Sequence, residues 1–383
     1  MKPTSTATDC VLEASSRGVA SPVVFREARF EDYEDVAAVQ SRNRLSFKSR
    51  EEWKRLWIEN PAYKQVSQWH LGWVAQNQDG KTVGYVGHVP LSYEFRGQRI
   101  IAACAYGLVI DRDYRGHGVH LLRRHLSDKC TDVVLTSTAN VNSGELCDAL
   151  CSRVPTGNWG ETAFWITNYR GFAASGLRST FWPNWLARPG SVALALRDAM
   201  SKDRGWTRIQ STCALELVSG FDERFDAFWN ALKQAFPERF LATRSTESLQ
   251  WHFKDALARG TLWILTAGDS PMRAYAVFCR DDNSAIGLTR VRLIDFQTLD
   301  PNAIGLESMI AWAFRRCQEQ GIHMLEAFGL RPEKERVING LSPYRRKLDF
   351  WCYFYRVRDK GLAQQLRDPT VWDPSLFDAD SAL

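Results

Sequence analysis

The segment from Leu108 to Leu122 constrains the fold of this chain most, because it joins an apolar strand to a helix through a short turn with two glycines. Gly116 and Gly118 lack Cβ atoms at a place where the backbone can come close to a ligand. The free N–H groups of the helix's first turn carry partial positive charge, and Arg115 adds a full charge beside them. This pattern predicts a site for an anion such as a pyrophosphate.

The elements around this segment follow a recognisable order. From Val23 the pattern predicts a strand, two helices, three strands joined by hairpin turns, and then a helix, a strand, a helix and a strand. Ser49 and Glu52 form a capping box that opens the second helix. The turns lie at Asp79-Gly80 and at Arg96-Gly97-Gln98. A Rossmann dinucleotide site needs an N-terminal strand and a parallel sheet, so the two preceding hairpins argue against it.

The second half of the chain partly repeats this order at low sequence similarity. Two helices, three strands, an amphipathic helix closed by Gly321 and two further strands are predicted between Glu223 and Val357. The predicted fold class is therefore α/β (α+β), with two mixed, mainly antiparallel sheets flanked by helices. The predicted divisions are a disordered lead-in at 1–22, a first domain at 23–171, a linker at 172–208 with a short helix near Val192 to Met200, a second domain at 209–360 and a tail at 361–383.

Composition narrows the class of protein. A chain of 383 residues with 45% apolar and 24% charged residues suits two globular domains. The net charge of +5 is spread along the chain, which argues against nucleic acid and suits an anionic ligand. No apolar run reaches the length of a bilayer span, and the start does not read as a secretory signal. Nine scattered cysteines without a Cys-x-x-Cys pair predict free thiols in a reducing cytoplasm.

The turn itself carries a resemblance to a known family. Arg115-Gly116-His117-Gly118-Val119-His120 resembles the Arg/Gln-x-x-Gly-x-Gly/Ala signature of the GCN5-related N-acetyltransferase (GNAT) superfamily, which lies between the fourth strand and the third helix. His120 departs from the small residue that is usual there. The resemblance covers Val23 to about Gly171 and implies acetyl-CoA, or another acyl-CoA, as co-substrate. It implies that the amides from Arg115 to His120 hold the pyrophosphate, and that the pantetheine arm bonds the backbone of Leu108, Val109 and Ile110.

The family also suggests a general acid. Its members often have an Asn after the fifth strand, and this Asn binds CoA. A Tyr seven residues later commonly protonates the leaving thiolate. Alignment on Asn140 places Cys147 at the Tyr position, and a thiol can donate a proton in principle. The alternative reading of Cys147 is a small buried residue of a helix. Tyr106 or water are other candidates for the acid.

A general base is predicted at Glu94, near the end of a central strand, with Asp111 and Glu161 as other options. Each is a carboxylate near the end of a predicted strand or turn, and most carboxylates at such positions are solvated surface groups. Among the three, Glu94 is kept as the candidate for the general base.

Other catalytic constellations are poorer. His117, His120 and His125 lie close in sequence, but the first two fall in the phosphate turn and no acidic or thiol partner has suitable spacing. No metal site is therefore predicted. The chain also lacks the Gly-x-Ser-x-Gly elbow of serine hydrolases.

The second copy differs at the corresponding turn. Leu299 to Leu306 has no Arg/Gln-x-x-Gly-x-Gly pattern and no positive charge, so this copy is predicted not to bind CoA. It would complete the acceptor cleft instead. The ending from Trp372 to Asp380 resembles that of double-GNAT proteins among bacterial polysaccharide and cell-envelope enzymes, some akin to Fem-type aminoacyl transferases. That likeness implies an amino-sugar acceptor.

These observations together predict an acyl-CoA-dependent N-acyltransferase of the cytoplasm, which transfers acetyl to a primary amine of a small molecule. One alternative is a non-catalytic protein that binds or senses acyl-CoA, and the missing Tyr and His120 favour it. Another is an aminoacyl or long-chain acyl transferase on the same scaffold.

Overall fold

The chain forms two β-sheets with helices packed on their faces. The computed structural model describes residues 22–139, 141–156, 159–180, 184–200, 214–268, 271–303, 305–341, 343–348 and 352–383. Residues 1–21 of the predicted lead-in lie outside these ranges. Within them, both sheets are mainly antiparallel, as the sequence predicts. No helix in these ranges has the length and apolar character that crossing a bilayer requires.

The strands of the described ranges are β1 Val24–Glu27, β2 Gly72–Gln76, β3 Thr82–Phe95, β4 Gln98–Ile110, β5 Val133–Ala139, β6 Ser152–Arg153, β7 Glu161–Ile166, β8 Leu215–Val218, β9 Leu241–Ala242, β10 Leu262–Ala267, β11 Ala274–Arg280, β12 Arg290–Thr298, β13 Met324–Phe328, β14 Tyr344–Lys347 and β15 Cys352–Val357. The α-helices are α1 Tyr33–Arg42, α2 Arg50–Ile58, α3 Gly118–Leu126, α4 Val141–Leu150, α5 Tyr169–Ser179, α6 Ala187–Met200, α7 Glu223–Ala235, α8 Thr246–His252, α9 Lys254–Ala258, α10 Leu306–Glu319, α11 Pro332–Gly340 and α12 Lys360–Gln365. Short 3-10 turns connect several of them.

The first sheet is built around the long hairpin of β3 and β4. Its strand order is β1-β2-β3-β4-β5-β15-β6, and β9 pairs with the far end of β3. Neighbouring strands run antiparallel except for β4 and β5, which are parallel. Gly80 and Gly97 adopt positive φ values of 76° and 74° in the two hairpin turns, a conformation that glycine adopts without strain. These turns therefore fix which residues of β2, β3 and β4 pair with one another. The glycine turn follows the last of these strands.

The second sheet has the order β14-β7-β13-β12-β11-β10-β8. Two strands cross between the halves of the chain. β7 comes from the first half but pairs with β13, and β15 comes from the second half but pairs with β5. The predicted divisions at 171 and 360 therefore do not match the sheets. A strand's sequence pattern shows which face it buries and not which strand it pairs with.

The described part of the predicted linker and the predicted tail both belong to the fold. Residues 172–180 and 184–200 of the linker contain most of α5 and all of α6, which pack on each other, in place of the single short helix that the sequence predicts. The tail at 361–383 runs between the two sheets, where Trp372 is 2% exposed and its indole donates to the Leu366 carbonyl at 2.8 Å. One large apolar core, shared by both sheets, encloses this tail.

Candidate functional site

The parallel strands β4 and β5 separate partway along their length. Their pairing joins Ala102–Cys104 to Val133–Leu135, and in the described part of the chain it stops there. Beyond this point β4 continues beside β3, and β5 continues beside β15. The facing edges therefore diverge and leave backbone N–H and C=O groups for an extended ligand. Leu108, Val109 and Ile110 lie on this part of β4.

A β-bulge marks the place where the opening begins. Gly87 pairs with Tyr106 and Tyr85 pairs with Val109, so two residues of β4 face the single residue between them on β3. Gly107 is one of these two, with a φ of +63°. A Cβ atom at this position would lie 2.2 Å from Nε2 of Gln40. The positive φ therefore favours glycine at residue 107, and a side chain there would also displace the buried Gln40 amide.

The glycine turn follows directly. Arg112–His117 form a 3-10 turn, and α3 begins at Gly118. Gly118 has an ordinary helical φ of −58°, and a Cβ atom there would contact only Ile110, at 3.6 Å. A Cβ atom at Gly116 would have no neighbour within 4 Å. The fold itself needs glycine at neither position, which favours the close approach of a ligand as the reason for both. Arg115 is exposed beside them.

His120, the departure from the family signature, packs against the first strand. Its ring centroid lies 6.4 Å from that of Phe25 on β1, and the His117 ring lies at the same distance from Phe25. The Arg124 guanidinium covers Phe25 from 5.1 Å. These contacts give the His120 imidazole an apolar support on β1, so its size is accommodated within the fold. Val119, beside it on α3, is partly buried.

Asp111 anchors the turn to α1 and is not available as a base. The Arg42 guanidinium donates to its carboxylate from Nε at 2.9 Å and from Nη2 at 2.7 Å. Asn43 adds a bond from Nδ2 at 2.7 Å. A carboxylate held by this many charged and polar donors is fixed in position. Its role in the structure is to fix the start of the turn.

The structure does not bring Glu94 to the glycine turn. Glu94 pairs with Arg99 beside the hairpin turn, whereas Gly84 pairs with Ile110 at the other end of β3. Ten residues of strand at about 3.3 Å each place Glu94 roughly 33 Å from that end. Glu161 lies exposed on β7, in the second sheet. Glu94 therefore lies far from the glycine turn, and Glu161 belongs to the other sheet.

Cys147 lies in the core beneath α4. It is fully buried and packs with Leu122, Leu126 and Phe354. A hydrogen bond with the Cys151 thiol, together with burial, raises the pKa of Cys147 well above its usual value. This environment fits the structural reading of the thiol better than the role of general acid. Asn140, on which the alignment depends, lies outside the described residues.

The tail supplies a carboxylate that the sequence did not point to. Asp380 is partly buried where β4 and β5 separate. Its Oδ1 accepts bonds from the hydroxyls of Ser137 at 3.1 Å and Thr138 at 2.5 Å, and its backbone N–H donates to Ser137 Oγ at 3.0 Å. Burial raises its pKa. The Tyr106 phenol belongs to the same region, because burial and then the charge of Asp380 raise its pKa.

Asp378 lies two residues earlier in the tail and is more deeply enclosed. The Tyr93 hydroxyl donates to its Oδ1 at 3.1 Å, and the Ser375 N–H donates to its Oδ2 at 2.8 Å. Burial raises the pKa of Asp378 to about 6, against the opposing charge of Arg244, whose Nη2 lies 3.9 Å from Oδ2. The tail therefore brings two carboxyl groups with raised pKa values to the interior between the sheets.

The corresponding opening of the second sheet is filled by the chain itself. β12 and β13 are parallel and pair as far as Leu293 and Ala327. Beyond this, the buried Lys334 ammonium donates to the Phe296 carbonyl at 2.9 Å and to Asp373 Oδ1 at 2.7 Å. A ligand that used the backbone of β12 would have to displace this buried ion pair. The filling supports the prediction that the second copy does not bind CoA.

Comparison with known proteins identifies the fold. No protein-family model and no curated protein sequence matches the chain. Its structure is similar to that of a probable N-acyltransferase of unknown function from Enterococcus faecalis V583, with a TM-score of 0.55, 10% identity, and coverage of 88% of this chain and 73% of that one. N-myristoyltransferase of Saccharomyces cerevisiae with bound myristoyl-CoA has a TM-score of 0.54 and 12% identity, with coverage of 88% of this chain and 80% of that one. A GCN5-related N-acetyltransferase from Kribbella flavida has a TM-score of 0.52 and 13% identity, with coverage of 89% of this chain and 72% of that one.

These likenesses extend over both sheets, because they cover almost nine tenths of the chain. The chain therefore has the GNAT fold, as the resemblance at Arg115 to His120 implies. At 10% to 13% identity the likeness concerns the fold, and the activity has to be argued from the site.

Proposed function

We propose that this chain is an acyl-CoA-dependent N-acyltransferase whose first unit binds the acyl donor. The observation that carries the proposal is the continuity between two features, the opening of β4 from β5 and the glycine turn at the start of α3. An acyl-CoA molecule would lay its pantetheine arm along Leu108 to Ile110. Its pyrophosphate would then meet the amides from Arg115 to His120.

The chemistry follows from the groups at the opening. A neutral amine attacks the thioester carbonyl, a C–N bond forms and the C–S bond breaks. A backbone N–H near Val109 stabilises the oxyanion. Asp380 takes the proton from the amine, since burial raises its pKa towards the range in which a base works well. Tyr106, which its raised pKa keeps protonated, donates a proton to the CoA thiolate.

The acceptor in this proposal is a small molecule with a primary amine. It would enter from the side of the second unit, because Asp380 of the tail packs where β4 and β5 separate. Carboxylates at this position attract a cationic ammonium group before it loses its proton. An amino sugar of a cell-envelope or polysaccharide pathway is our first choice, on the resemblance of the Trp372–Asp380 ending. We place this reaction in the cytoplasm.

Acetyl-CoA is our first choice as donor. The tail segment around Asp380 packs against both β4 and β5 where they separate, which favours a short acyl group over a long one. Long-chain acyl transfer is the second candidate, since the likeness to yeast N-myristoyltransferase with bound myristoyl-CoA covers 88% of this chain. A series of acyl-CoA donors from two to fourteen carbons distinguishes the two by relative kcat/KM.

The experiment that tests the proposal has a binding arm and a turnover arm. Thermal unfolding with CoA, acetyl-CoA and myristoyl-CoA should show a rise in Tm, because a ligand that binds only the folded state stabilises it. Release of free thiol with a panel of amines, including amino sugars, should then identify the acceptor. A protein that no CoA species stabilises is incompatible with the proposal. Binding without thiol release would favour an acyl-CoA sensor.

A further inference from the structure

A second cluster of chemically active side chains lies behind α3, away from the glycine turn. His70 precedes β2, His88 lies on β3, and Asp128 follows the C-terminal end of α3. Oδ2 of Asp128 lies 3.0 Å from His70 Nε2 and 3.0 Å from His88 Nδ1. The three atoms all lie within 4.8 Å of one another. Three separate segments of the chain therefore direct one ligand atom each towards a common point.

We propose that His70, His88 and Asp128 bind a divalent transition-metal ion, with zinc as the preferred one. Imidazole nitrogen and carboxylate oxygen are usual zinc ligands, at bond lengths of about 2.0–2.1 Å. Tetrahedral bonds of that length place neighbouring ligand atoms about 3.3 Å apart. The two nitrogen–oxygen distances of 3.0 Å are within a few tenths of an ångström of this edge. A small outward movement of the three side chains therefore admits the ion.

The surroundings of Asp128 support this reading. The Cys130 N–H donates to the other carboxylate oxygen, Oδ1, at 2.8 Å. This bond fixes the carboxylate so that Oδ2 alone faces the two imidazoles, as in a monodentate metal ligand with an outer hydrogen bond. Water is the occupant expected at the fourth position, and the exposed thiol of Cys130, two residues after Asp128, is the other candidate.

His125 completes the cluster from α3. It is fully buried, and its ring centroid lies 4.3 Å from that of His88. Among the described residues, the two ring nitrogens of His125 have no hydrogen-bond partner, and the same is true of Nε2 of His88. When His88 Nδ1 binds the metal, its Nε2 carries the proton and needs an acceptor. A neutral His125 can supply that acceptor after a small rotation, which gives it the role of an outer partner.

The position of the cluster indicates what the ion would do. α3 has nine residues and is about 13 Å long at 1.5 Å per residue. The glycine turn lies at its N-terminal end, and Asp128 lies two residues beyond its C-terminal end. A bound ion would tie this end of the helix to β3 and to the segment before β2. Its role is structural, and it does not depend on the proposed acyl transfer.

The test uses the full-length protein without an affinity tag, freed of metal by a chelator and dialysis. Titration with Zn²⁺ and with Co²⁺ should show one ion per chain and a rise in Tm, and Co²⁺ should give the visible absorption of a tetrahedral site. His70→Ala and Asp128→Asn should each lower the affinity by at least about a hundredfold, since even outer-shell changes cost about 10–100-fold. Cys130→Ser should shift the Co²⁺ spectrum if the thiol is the fourth ligand, whereas an unchanged spectrum places water there.

His120→Gln is the matched control, because it removes an exposed histidine from the other end of α3 and should bind the ion like the wild type. The proposal is overturned if the wild type binds no ion, or if neither His70→Ala nor Asp128→Asn changes the affinity. Should a variant fail to fold, the stoichiometry and Co²⁺ spectrum of the wild type decide the question without it. The Tm of the wild type gives a further test, because it should be higher in the metal-loaded protein than in the metal-free one.

Discussion

The surroundings of Gly116 and Gly118 can be predicted well from the sequence. The residues that surround them in space are also their neighbours in the chain, so strand, turn, charge and helix can be read from one short segment. Asp380 belongs to the opposite kind. It reaches Ser137 across 243 residues of sequence, and no local pattern marks it. The proposed donor site can therefore be read from a local pattern, whereas the proposed base, Asp380, cannot, and in the sequence Glu94 is favoured by its strand position alone.

The side chain at residue 118 should decide CoA binding without affecting the fold. Gly118→Trp is expected to lower CoA affinity at least tenfold, because the indole would occupy the place of the pyrophosphate. The free energy of unfolding should change by less than about 1 kcal/mol, since a Cβ atom there meets only Ile110. Titration calorimetry and urea unfolding measure the two quantities. Gly176→Trp, at an open position of α5, is the matched control and should leave both unchanged.

Asp380 should control the pH dependence of turnover. Its carboxylate must be ionised to accept a proton, so kcat/KM is expected to fall as the pH drops through its raised pKa. Asp380→Asn should lower kcat by a factor of about 10²–10⁴ and flatten this limb of the profile. CoA affinity should stay unchanged. Glu94→Gln is the informative comparison, because a large loss of kcat in that variant alone would restore the sequence-based assignment.

At the scale of the elements, the sequence was informative where hydrophobic period and turn chemistry agree. The hairpin turns at Asp79-Gly80 and at Arg96-Gly97-Gln98 lie where the pattern predicts them, and the Ser49 capping box is confirmed by bonds of 2.9 Å and 3.3 Å. α11 and β14 were missed, because short elements carry too few periods to stand out. The tail was missed as a structured element because its 3-10 turns have no period that a sequence reveals.

The bulge at Gly107 should be a sensitive backbone position of the first sheet. Gly107→Ala places a side chain at a φ of +63°, which costs about 1–2 kcal/mol, and its Cβ would overlap Gln40. Gly97→Ala is the matched control, with a φ of +74° and open space around it. Urea unfolding should show a larger loss for Gly107→Ala than for the control. Equal losses of stability in the two variants would mean that the overlap with Gln40 does not destabilise Gly107→Ala.

The tail should make stability depend on pH in a particular direction. The pKa of Asp378 is raised to about 6 in the folded state from an ordinary 3.8, so the folded protein holds the proton more tightly than the unfolded chain. Wild type should therefore lose stability relative to Asp378→Asn as the pH rises from about 4 to about 6, by about 3 kcal/mol. Urea unfolding of both proteins across this range measures it. A difference that stays flat with pH would contradict the burial of this carboxyl group.

At the scale of the whole molecule, fold class was predictable and sheet membership was not. Two successive runs of similar elements predicted two mixed sheets, and both were found. The exchange of β7 and β15 between the halves depends on pairings between residues about 160 to 220 positions apart. Such pairings are decided by how the halves pack, so a reading that moves along the chain assigns each strand to its nearest neighbours.

This exchange predicts that neither half folds alone. A chain of residues 1–200 lacks β15 beside β5 and lacks the tail that carries Trp372, so it should show no cooperative unfolding. The same holds for residues 201–383, which lack β7 beside β13. Coexpressed, the two chains should associate into one native-like particle, which size-exclusion chromatography and circular dichroism would detect. Cooperative unfolding of either chain by itself would show that the exchanged strand is dispensable.

The exchanged strand β15 also has a consequence for the order of events during synthesis. β5 leaves the ribosome more than 200 residues before the strand that covers its edge, and ribosomes add about 5–20 residues per second. For ten seconds or more the nascent chain therefore presents an uncovered strand edge and part of an apolar core. Uncovered edges invite pairing with other chains. Yield in a host should then depend on the chaperones that bind nascent polypeptides, and slowed translation should lower it.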